Sequence, residues 1–497
     1  MYNQALIVFP ILAADLPPRK HQAKILALRH IWVIIIDAAQ FLFGSPSFGD
    51  VAQCRFGGRP SLLHIDTLTK HGHPIFTRLG SNIVKFVCNY TLTTGFKSCS
   101  TPDNRSCWLR DPDTGEEYNI NTDYETNIPQ GITRIYHLNV TDGDINANGL
   151  DSNGAKLFND LWPGPLIEAC WRDEVGIHVH NKLAYNGTSI HWHGIRQNQT
   201  MHMDGINGIT QCPIAPQSHF VYKWNATQYG SSWYHSHYSV QYADGLQAPI
   251  EIHGPTSFPY DEAIEPITVT DWANNSAFEN IHPGRKPDRE DILLGGLGNI
   301  VRFTGGKTAN TTEIPRGYEV WFDNIKPNPA TRAKRYLLRL INTSFDTTFV
   351  FSIDNHNFTV IEADFVPVKP FNATSSLIAI GQRCHVIVEA TPVVNSSYPS
   401  ANPLPDDGNY WIRTWVADRC GVILKYIGDK ENYMKTCILR YEYTSTVEPS
   451  TTAWEVSPDC SDTAINNQIV PVVPWTVGDG AYGQIAVLLA DGLDRAP

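Results

Sequence analysis

The chain has 497 residues, with 38 Lys and Arg against 50 Asp and Glu, so its formal net charge is −12 at pH 7. We do not expect an acidic protein of this kind to bind nucleic acid or anionic membranes, because both need a basic face. Hydrophobic residues make up 42% of the chain and charged residues 18%, which excludes wholesale disorder. The length is typical of roughly two to four domains.

The first 98 residues carry weak targeting signals and do not look like a folded domain. The apolar run Ala5 to Ala14 has no basic segment before it. The run Ile31 to Phe43 is interrupted by Asp37 and is too short to span a bilayer. We therefore predict no transmembrane helix. Residues 1–98 are predicted to be an N-terminal extension: a signal peptide, a propeptide or a wrongly joined start of the gene model.

From Cys99 onward, short apolar runs are separated by Gly, Pro, Asn and Asp, and no long stretch keeps a 3.6-residue period. This spacing predicts an all-β protein built as a sandwich or barrel. The predicted strands are 133–140, 175–179, 220–224, 248–252, 335–341, 348–353, 358–361 and 385–389. Domain boundaries are expected near Gly254 and Pro255 and near the Ser/Thr-rich segment 444–452.

Twelve Asn-x-Ser/Thr sequons are present, whereas chance predicts roughly 4 for this composition. The excess indicates a secreted, extracellular protein with N-linked glycans, and the ten cysteines fit an oxidising compartment. Asn- and Thr-rich loops without glycans are the alternative explanation.

Two histidine groups stand out among the 18 histidines: His191-Trp192-His193-Gly194 and Trp233-Tyr234-His235-Ser236-His237. Each is a His-x-His pair in a β-type context, so both imidazoles of a pair lie on one face of a strand. Neutral imidazole suits copper, zinc, iron and nickel, and the two pairs can meet across facing strands. The pairs at His71 to His73 and His178 to His180 lack these flanking residues and are predicted to be surface histidines.

The residues around these histidines closely resemble the first domain of multicopper oxidases, and most closely that of ascomycete-type laccases. The segments that carry the resemblance are Asn-Gly-Thr-Ser-Ile-His-Trp-His-Gly at 186–194, Gly-Ile-Thr-Gln-Cys-Pro-Ile-Ala-Pro at 208–216, Gln-Tyr-Gly-Ser-Ser-Trp-Tyr-His-Ser-His-Tyr at 228–238, and the stretches 99–108, 160–167 and 339–344. The resemblance runs from about Cys99 to about Pro474. It implies tandem cupredoxin-like Greek-key β-sandwiches at 99–256 and 257–445, with a tail at 446–497 in place of the family's third domain.

The resemblance also implies a copper cofactor. The family builds a trinuclear copper cluster between its first and third domains, and His191 matches a type 2 copper ligand. His193, His235 and His237 match type 3 copper ligands. Four of the cluster's eight imidazoles are therefore present.

Two acidic residues are candidate catalytic groups by the same resemblance. Asp204 matches an acid near the cluster that assists proton delivery, although a turn-forming Asp-Gly is an equal alternative. Asp271 matches the start of a segment that helps to form the phenol pocket, and a solvated loop Asp is an equal alternative.

A laccase also needs a type 1 copper, held by one Cys thiolate and two His. The family supplies these ligands from His-Pro-x-His-x-His and His-Cys-His motifs, and neither occurs in this sequence. The last histidine is His385, and Cys384-His385 lies in a segment that matches a plain strand of the second domain. We therefore interpret that pair as structural and expect these residues to lack a type 1 site.

The resemblance implies two disulfides, Cys99–Cys107 and Cys420–Cys460. Cys212 matches a cysteine whose family partner lies in the third domain, so we expect it to lack that partner. Five cysteines have no assigned family partner: Cys54, Cys88, Cys170, Cys384 and Cys437.

Three functions remain open. The first is a laccase (a benzenediol:oxygen oxidoreductase) that oxidises phenolic substrates with dioxygen and is represented by its first two domains, so that these residues alone are inactive. The second is a non-catalytic secreted copper-binding β-sandwich protein. The third is a zinc hydrolase, which is disfavoured because no carboxylate lies within the histidine motifs themselves.

Overall fold

A computed structural model describes residues 86–125, 127–280, 291–298, 318–322, 332–394, 404–417, 434–442, 445–455 and 467–474. All eight predicted strands and both histidine groups lie within these ranges. The Cys420–Cys460 pair, Cys54, His71 to His73, the apolar runs of the N-terminal extension and the last 23 residues of the tail, 475–497, lie outside the described residues.

The first half of the described chain forms a small three-stranded sheet and two four-stranded sheets. The strands are β1 (Lys97–Ser98), β2 (Cys107–Arg110), β3 (Glu117–Asn119), β4 (Thr133–Ile145), β5 (Ser152–Phe158), β6 (Ile167–Cys170), β7 (Glu174–Asn181), β8 (Ile190–Trp192), β9 (His219–Asn225), β10 (Gly230–Ser236) and β11 (Gln247–His253). One four-stranded sheet has the order β5-β4-β7-β9 and the other β6-β11-β10-β8, and the two form the first sandwich.

The second half forms a larger sandwich. The strands are β12 (Glu262–Ala263), β13 (Ile267–Trp272), β14 (Asp291–Leu294), β15 (Glu319–Trp321), β16 (Arg335–Asn342), β17 (Phe349–Ile353), β18 (Phe358–Ala363), β19 (Val366–Ala373), β20 (Ser375–Ile378), β21 (Arg383–Glu389), β22 (Asn409–Val416) and β23 (Met434–Arg440). One sheet has the order β14-β13-β16-β21-β18-β19, with β12 beside β16, and the other the order β15-β23-β22-β17-β20.

The all-β prediction is confirmed, and seven of the eight predicted strands coincide with an observed strand to within two residues at either end, while β4 runs five residues past its predicted end. The one α-helix among the described residues is the four-residue α1 (Ala277–Asn280), and a single 3₁₀ turn spans Met201–Met203. Within the part of the chain that the structure describes, no helix is long and apolar enough to cross a membrane.

Strand alternation separates the core of the first sandwich from its histidines. Trp192 is fully buried in that core, where its ring lies 5.2 Å from that of Tyr222 and 5.7 Å from that of Tyr234. His191 is the preceding residue of β8, so its side chain leaves the opposite face of the strand. Loss of a buried Trp of this kind costs about 3–5 kcal/mol, so Trp192 anchors the strand that presents His191.

An apolar cluster joins the two sandwiches. Trp162 from the first packs against Trp272 from the second, with ring centroids 5.1 Å apart, and Leu293 belongs to the same buried cluster. The indole Nε1 of Trp162 donates a hydrogen bond to the carbonyl of Gly296 at 3.0 Å. Strand β10 packs against β16 and β21. This joint places residues of the second sandwich beside the histidines of the first.

Two disulfides are present among the described residues. Cys99–Cys107 confirms the pairing implied by the family resemblance. Cys88 and Cys170 form a second disulfide, with Cα atoms 5.6 Å apart, which ties the segment before residue 99 to β6.

The residues around Cys88 also contact the first sandwich. The Tyr90 hydroxyl donates a hydrogen bond to the carbonyl of Trp171 at 2.9 Å and accepts one from the indole of Trp108 at 2.7 Å. At least residues 88–90 of the predicted extension therefore pack on the first sandwich, and the predicted boundary at residue 98 stays a prediction.

Candidate metal centre

Adjacent antiparallel strands bring the two His-x-His pairs together. β8 and β10 are neighbours, and His191 lies directly opposite His235 in the register. His193 and His237 follow the last residue of each strand. Their backbone amides continue the pairing of the two strands, since His193 N–H donates to the carbonyl of Trp233 in β10 at 3.0 Å and His237 N–H donates to the carbonyl of Ser189, just before β8, at 2.9 Å.

The four imidazole rings surround one space. The ring centroid of His191 lies 5.6 Å from that of His193, 5.4 Å from that of His235 and 5.6 Å from that of His237. Donor nitrogens of His191, His193 and His235 all lie within 4.8 Å of one another. Three imidazole nitrogens at such separations can converge on metal ions with small movements of the rings.

Backbone carbonyls set which ring nitrogens face that space. His191 Nδ1 lies 2.8 Å from the Asp204 carbonyl, and His235 Nδ1 lies 2.9 Å from the Ser236 carbonyl. A carbonyl only accepts, so both Nδ1 atoms carry the proton and both Nε2 atoms keep a lone pair for a metal. His193 has the opposite ring orientation. Its Nδ1, rather than its Nε2, faces the shared space and lies 3.4 Å from His235 Nε2.

The surroundings favour the neutral form of His193, His235 and His237. Burial lowers the pKa of His193 well below its usual value, and the charge of Arg383 lowers it further. Burial and the neighbouring histidines lower the pKa of His235 in the same way. Burial, and then the charge of His191, lowers the pKa of His237 to about 4. Neutral imidazole is the form that binds a metal, so this donor set fits copper.

The second sandwich supplies two residues that the sequence did not single out. The guanidinium of Arg383 donates to the carbonyls of Ser231 at 3.1 Å and Gly381 at 2.9 Å. Gly381 has φ +75°, and a Cβ built there would lie 2.6 Å from His193 Nε2. The His193 ring is thus confined between Gly381 and the ring of Trp233, whose centroid is 5.0 Å away. Both residues lie in a segment that matches an ordinary strand, so no local signal marked them.

The structure places Asp204 beside the histidines. Its carbonyl accepts the His191 Nδ1 proton, its Oδ1 lies 3.3 Å from the same nitrogen, and its side chain is 23% exposed. This residue therefore positions His191 and also reaches solvent. Its predicted role in proton delivery stays a prediction.

Asp271 is buried in β13 and its carboxylate binds a turn of the second sandwich. It accepts hydrogen bonds from Phe345 N–H at 2.9 Å, Asp346 N–H at 3.0 Å and the Thr347 hydroxyl at 2.7 Å. These contacts stabilise the turn at 345–347. The predicted role of Asp271 at a phenol pocket stays a prediction.

The other singled-out residues lie elsewhere. Cys384 belongs to the core of the second sandwich, and burial raises the pKa of its thiol to about 12. His385, which points to the other side of β21, lies 2.9 Å from the Glu362 carboxylate. Cys212 is exposed, and its predicted lack of a family partner stays a prediction. His178 and His180 lie on a face of β7 that is at least partly exposed, as predicted.

Comparison with known proteins agrees with this geometry. A family model described as multicopper oxidase matches residues 139–257, and a second model with the same description matches residues 265–444. The chain belongs to the multicopper oxidase family.

The relatives include fungal laccases. The chain is 42% identical over 416 residues to a laccase of Arthroderma benhamiae, which covers 82% of this chain and 59% of that protein. It is 40% identical over 386 residues to Laccase-2 of Botryotinia fuckeliana, which covers 77% of this chain and 60% of that protein. The crystal structure of a laccase from Botrytis aclada superimposes with a TM-score of 0.66 at 37% identity, covering 77% of this chain and 65% of that one. The two sandwiches are therefore cupredoxin-like, and the chain spans about 60% of the length of the curated relatives it matches.

Proposed function

We propose that this chain supplies the His-x-His half of a trinuclear copper centre in a laccase-type oxidase, which removes single electrons from phenolic substrates and reduces dioxygen to water. The observation that carries the proposal is the convergence of His191, His193, His235 and His237, with donor nitrogens of three of them within 4.8 Å of one another. Bound copper would supply reversible one-electron chemistry at this centre.

The chain's own residues hold and orient the donors. Backbone carbonyls fix the protons of His191 and His235 on Nδ1, and Gly381 and Trp233 confine the ring of His193. Asp204 carries a carboxyl that reaches both solvent and His191, so it can take a proton from water at Oδ1 and release it beside the centre.

We further propose that these 497 residues alone do not oxidise phenols. Electron entry in the family requires a Cys thiolate and two His at a type 1 copper, and no histidine follows His385 in this sequence. A non-catalytic copper-binding protein is the second candidate, because four converging histidines can bind copper without turning over a substrate. Oxidation of a phenolic dye by the purified, copper-loaded chain would refute both the inactivity and this second candidate.

We also propose that the protein is secreted and carries N-linked glycans, on the strength of its twelve sequons. One sequon is unsuited to a glycan in the folded state. The Asn342 side chain is fully buried, and its amide donates to the carbonyls of Thr347 and Ile378 at 2.8 Å each.

Copper binding by paired variants tests the assignment. The double substitution His235→Ala and His237→Ala removes one of the two converging pairs, so we expect most of the tightly bound copper to be lost. The matched control, His178→Ala with His180→Ala, removes an equally spaced pair at the sheet surface and should keep the wild-type copper content. Equal copper contents in the two variants would contradict the proposal.

A further inference from the structure

One cationic side chain of the second sandwich reaches across the joint to the four histidines of the first. Arg383 is the first residue of β21, which packs against β10. Its side chain is only 4% exposed. Arginine is almost never buried to this extent without partners, because removing a cation from water is costly. The position of this cation therefore depends on specific contacts.

Backbone segments on both sides of the His193 ring contact the guanidinium. Its Nη1 donates to the carbonyl of Gly381 at 2.9 Å, and Gly381 is the residue that confines the ring. A Cβ built on Gly194, the residue after His193, would collide with Nη2 and lie 3.0 Å from the guanidinium carbon. The Nε atom donates to the carbonyl of Ser231 in β10 at 3.1 Å. The guanidinium is thus wedged between the segments that hold His193.

A tight turn between β18 and β19 also fixes this side chain. Phe365 is fully buried in the core of the first sandwich, and the guanidinium carbon of Arg383 lies 4.9 Å from the centre of its ring. Asp364 Oδ1 lies 3.0 Å from Arg383 Nη1 and accepts a hydrogen bond from the Arg383 backbone N–H at 2.9 Å. The ring and the carboxylate hold the guanidinium in one orientation.

The nearby carboxylates offset the charge of Arg383 only in part. Asp364 is 41% exposed, so water screens its charge, whereas the guanidinium is shielded from water. Glu362, the other acidic neighbour, is bound to His385 at 2.9 Å. Burial lowers the pKa of Arg383, the charges of Asp364 and Glu362 oppose this shift, and an arginine keeps its proton in a protein. A fixed positive charge therefore stands beside His193.

A fixed cation beside a bound metal changes the balance between the metal's oxidation states. Cu(II) carries one more positive charge than Cu(I), so a neighbouring cation destabilises Cu(II) more. For a unit charge about 10 Å away and an effective dielectric constant of about 20, Coulomb's law changes the ratio of the two affinities on the order of tenfold. A tenfold change corresponds to about 59 mV in the potential of a one-electron couple.

We propose that Arg383 is a positioning residue of the copper centre, which holds the His193 ring in place and favours Cu(I) over Cu(II) at the ion that this ring binds. The inference rests on the proposed copper centre and adds to it a residue of the second sandwich. Its two actions are separable. Loss of the ring's support weakens the binding of both oxidation states, whereas loss of the charge changes the ratio of their affinities.

Copper affinities of the full chain in both oxidation states test the proposal. Competition with a chromophoric Cu(I) chelator without oxygen gives the Cu(I) affinity, and competition with a Cu(II) chelator gives the Cu(II) affinity. Arg383→Gln removes the charge, so the ratio of Cu(I) to Cu(II) affinity should fall about tenfold. Arg383→Lys keeps a cation but loses the fork of donors, so it should bind both forms more weakly at a ratio within about threefold of the wild type.

Arg413→Gln is the matched control. Arg413 is also a largely buried arginine of the second sandwich, and it binds the Asp354 carboxylate at 2.8 Å and the carbonyl of Thr451 at 3.0 Å. It belongs to β22, in the sheet that does not contain β21. Its substitution should lower the free energy of unfolding and leave the ratio of copper affinities unchanged.

If Arg383→Gln does not fold, Asp364→Asn decides. It removes the counter-charge of Arg383 from a half-exposed position, so the ratio of Cu(I) to Cu(II) affinity should rise. An unchanged ratio in Arg383→Gln or in Asp364→Asn, a ratio in Arg383→Lys as low as that of Arg383→Gln, or an equal fall in Arg413→Gln would each overturn the role of Arg383 and leave the copper centre in place. Absence of copper from the four histidines of the wild type would overturn the proposed function, and this inference with it.

Discussion

The substitution Gly381→Ala is expected to disturb the copper centre from the second sandwich. Gly381 has φ +75°, and the new Cβ would lie 2.6 Å from His193 Nε2 and 2.7 Å from its Cε1. The left-handed backbone alone costs about 1 kcal/mol for Ala. Because the ring is backed by Trp233, relief of the clash requires movement of His193, which adds about 1–3 kcal/mol.

Gly115→Ala carries the backbone cost without any steric clash, so comparison with it isolates the cost of the contact with His193. Gly115 has φ +76°, and nothing lies within 4 Å of a Cβ built there. Its substitution should lower the free energy of unfolding by about 1 kcal/mol and leave copper affinity unchanged. Gly381→Ala should lower the free energy of unfolding by about 2–4 kcal/mol in total and weaken copper binding at least about tenfold.

Denaturant unfolding of the metal-free variants and copper titration of the same preparations provide the assay. Both glycine variants carry the same backbone penalty, so only the difference between them reports the contact with His193. If the two variants lose equal stability and bind copper equally well, the placement of Gly381 against His193 is wrong.

Two further predictions concern stability. Replacing Cys88 and Cys170 by Ser opens a loop of 82 residues, and replacing Cys99 and Cys107 by Ser opens a loop of 8 residues. Loop-closure entropy predicts that the first change lowers the free energy of unfolding by about 4.5 kcal/mol and the second by about 2.5 kcal/mol. Urea unfolding of the two variants compares these losses. Equal losses would contradict the ranking. Burial lowers the pKa of His356 to about 4 in the folded state. As the pH falls below about 6.5, the unfolded state therefore binds a proton that the folded state does not, which favours unfolding. Between pH 7 and pH 4, the free energy of unfolding of the wild type should fall by up to about 3 kcal/mol more than that of His356→Gln. Parallel stability curves for the two proteins would show that His356 is not protected from protonation.

Local patterns predicted eight of the 23 observed strands and singled out both histidine pairs. The alternation of side chains along a strand is a short-range property, and the structure agrees with it, because Trp192 is buried in the core while His191 leaves the opposite face of β8. The pairing of β8 with β10 was also foreseeable, because two His-x-His pairs with aromatic flanks suit a shared space.

Contacts between distant segments were not predictable in the same way. Gly381 and Arg383 lie in a segment that matches an ordinary strand, and only the packing of β21 against β10 brings them to His193.

The Cys88–Cys170 disulfide was missed for a related reason. Spacing alone does not assign pairs among ten cysteines, and the family resemblance begins only near Cys99. The residues before that point carried no pattern that predicted contact with the first sandwich.

The position of copper in the loaded chain is the measurement that tests the central claim most directly. Diffraction data collected at the copper absorption edge locate bound copper independently of the protein atoms. We predict anomalous density between Nε2 of His191, Nδ1 of His193 and Nε2 of His235, with His237 beside it. Copper found only at other residues, or none bound there at saturating copper, would contradict the assignment of these four histidines as a copper centre.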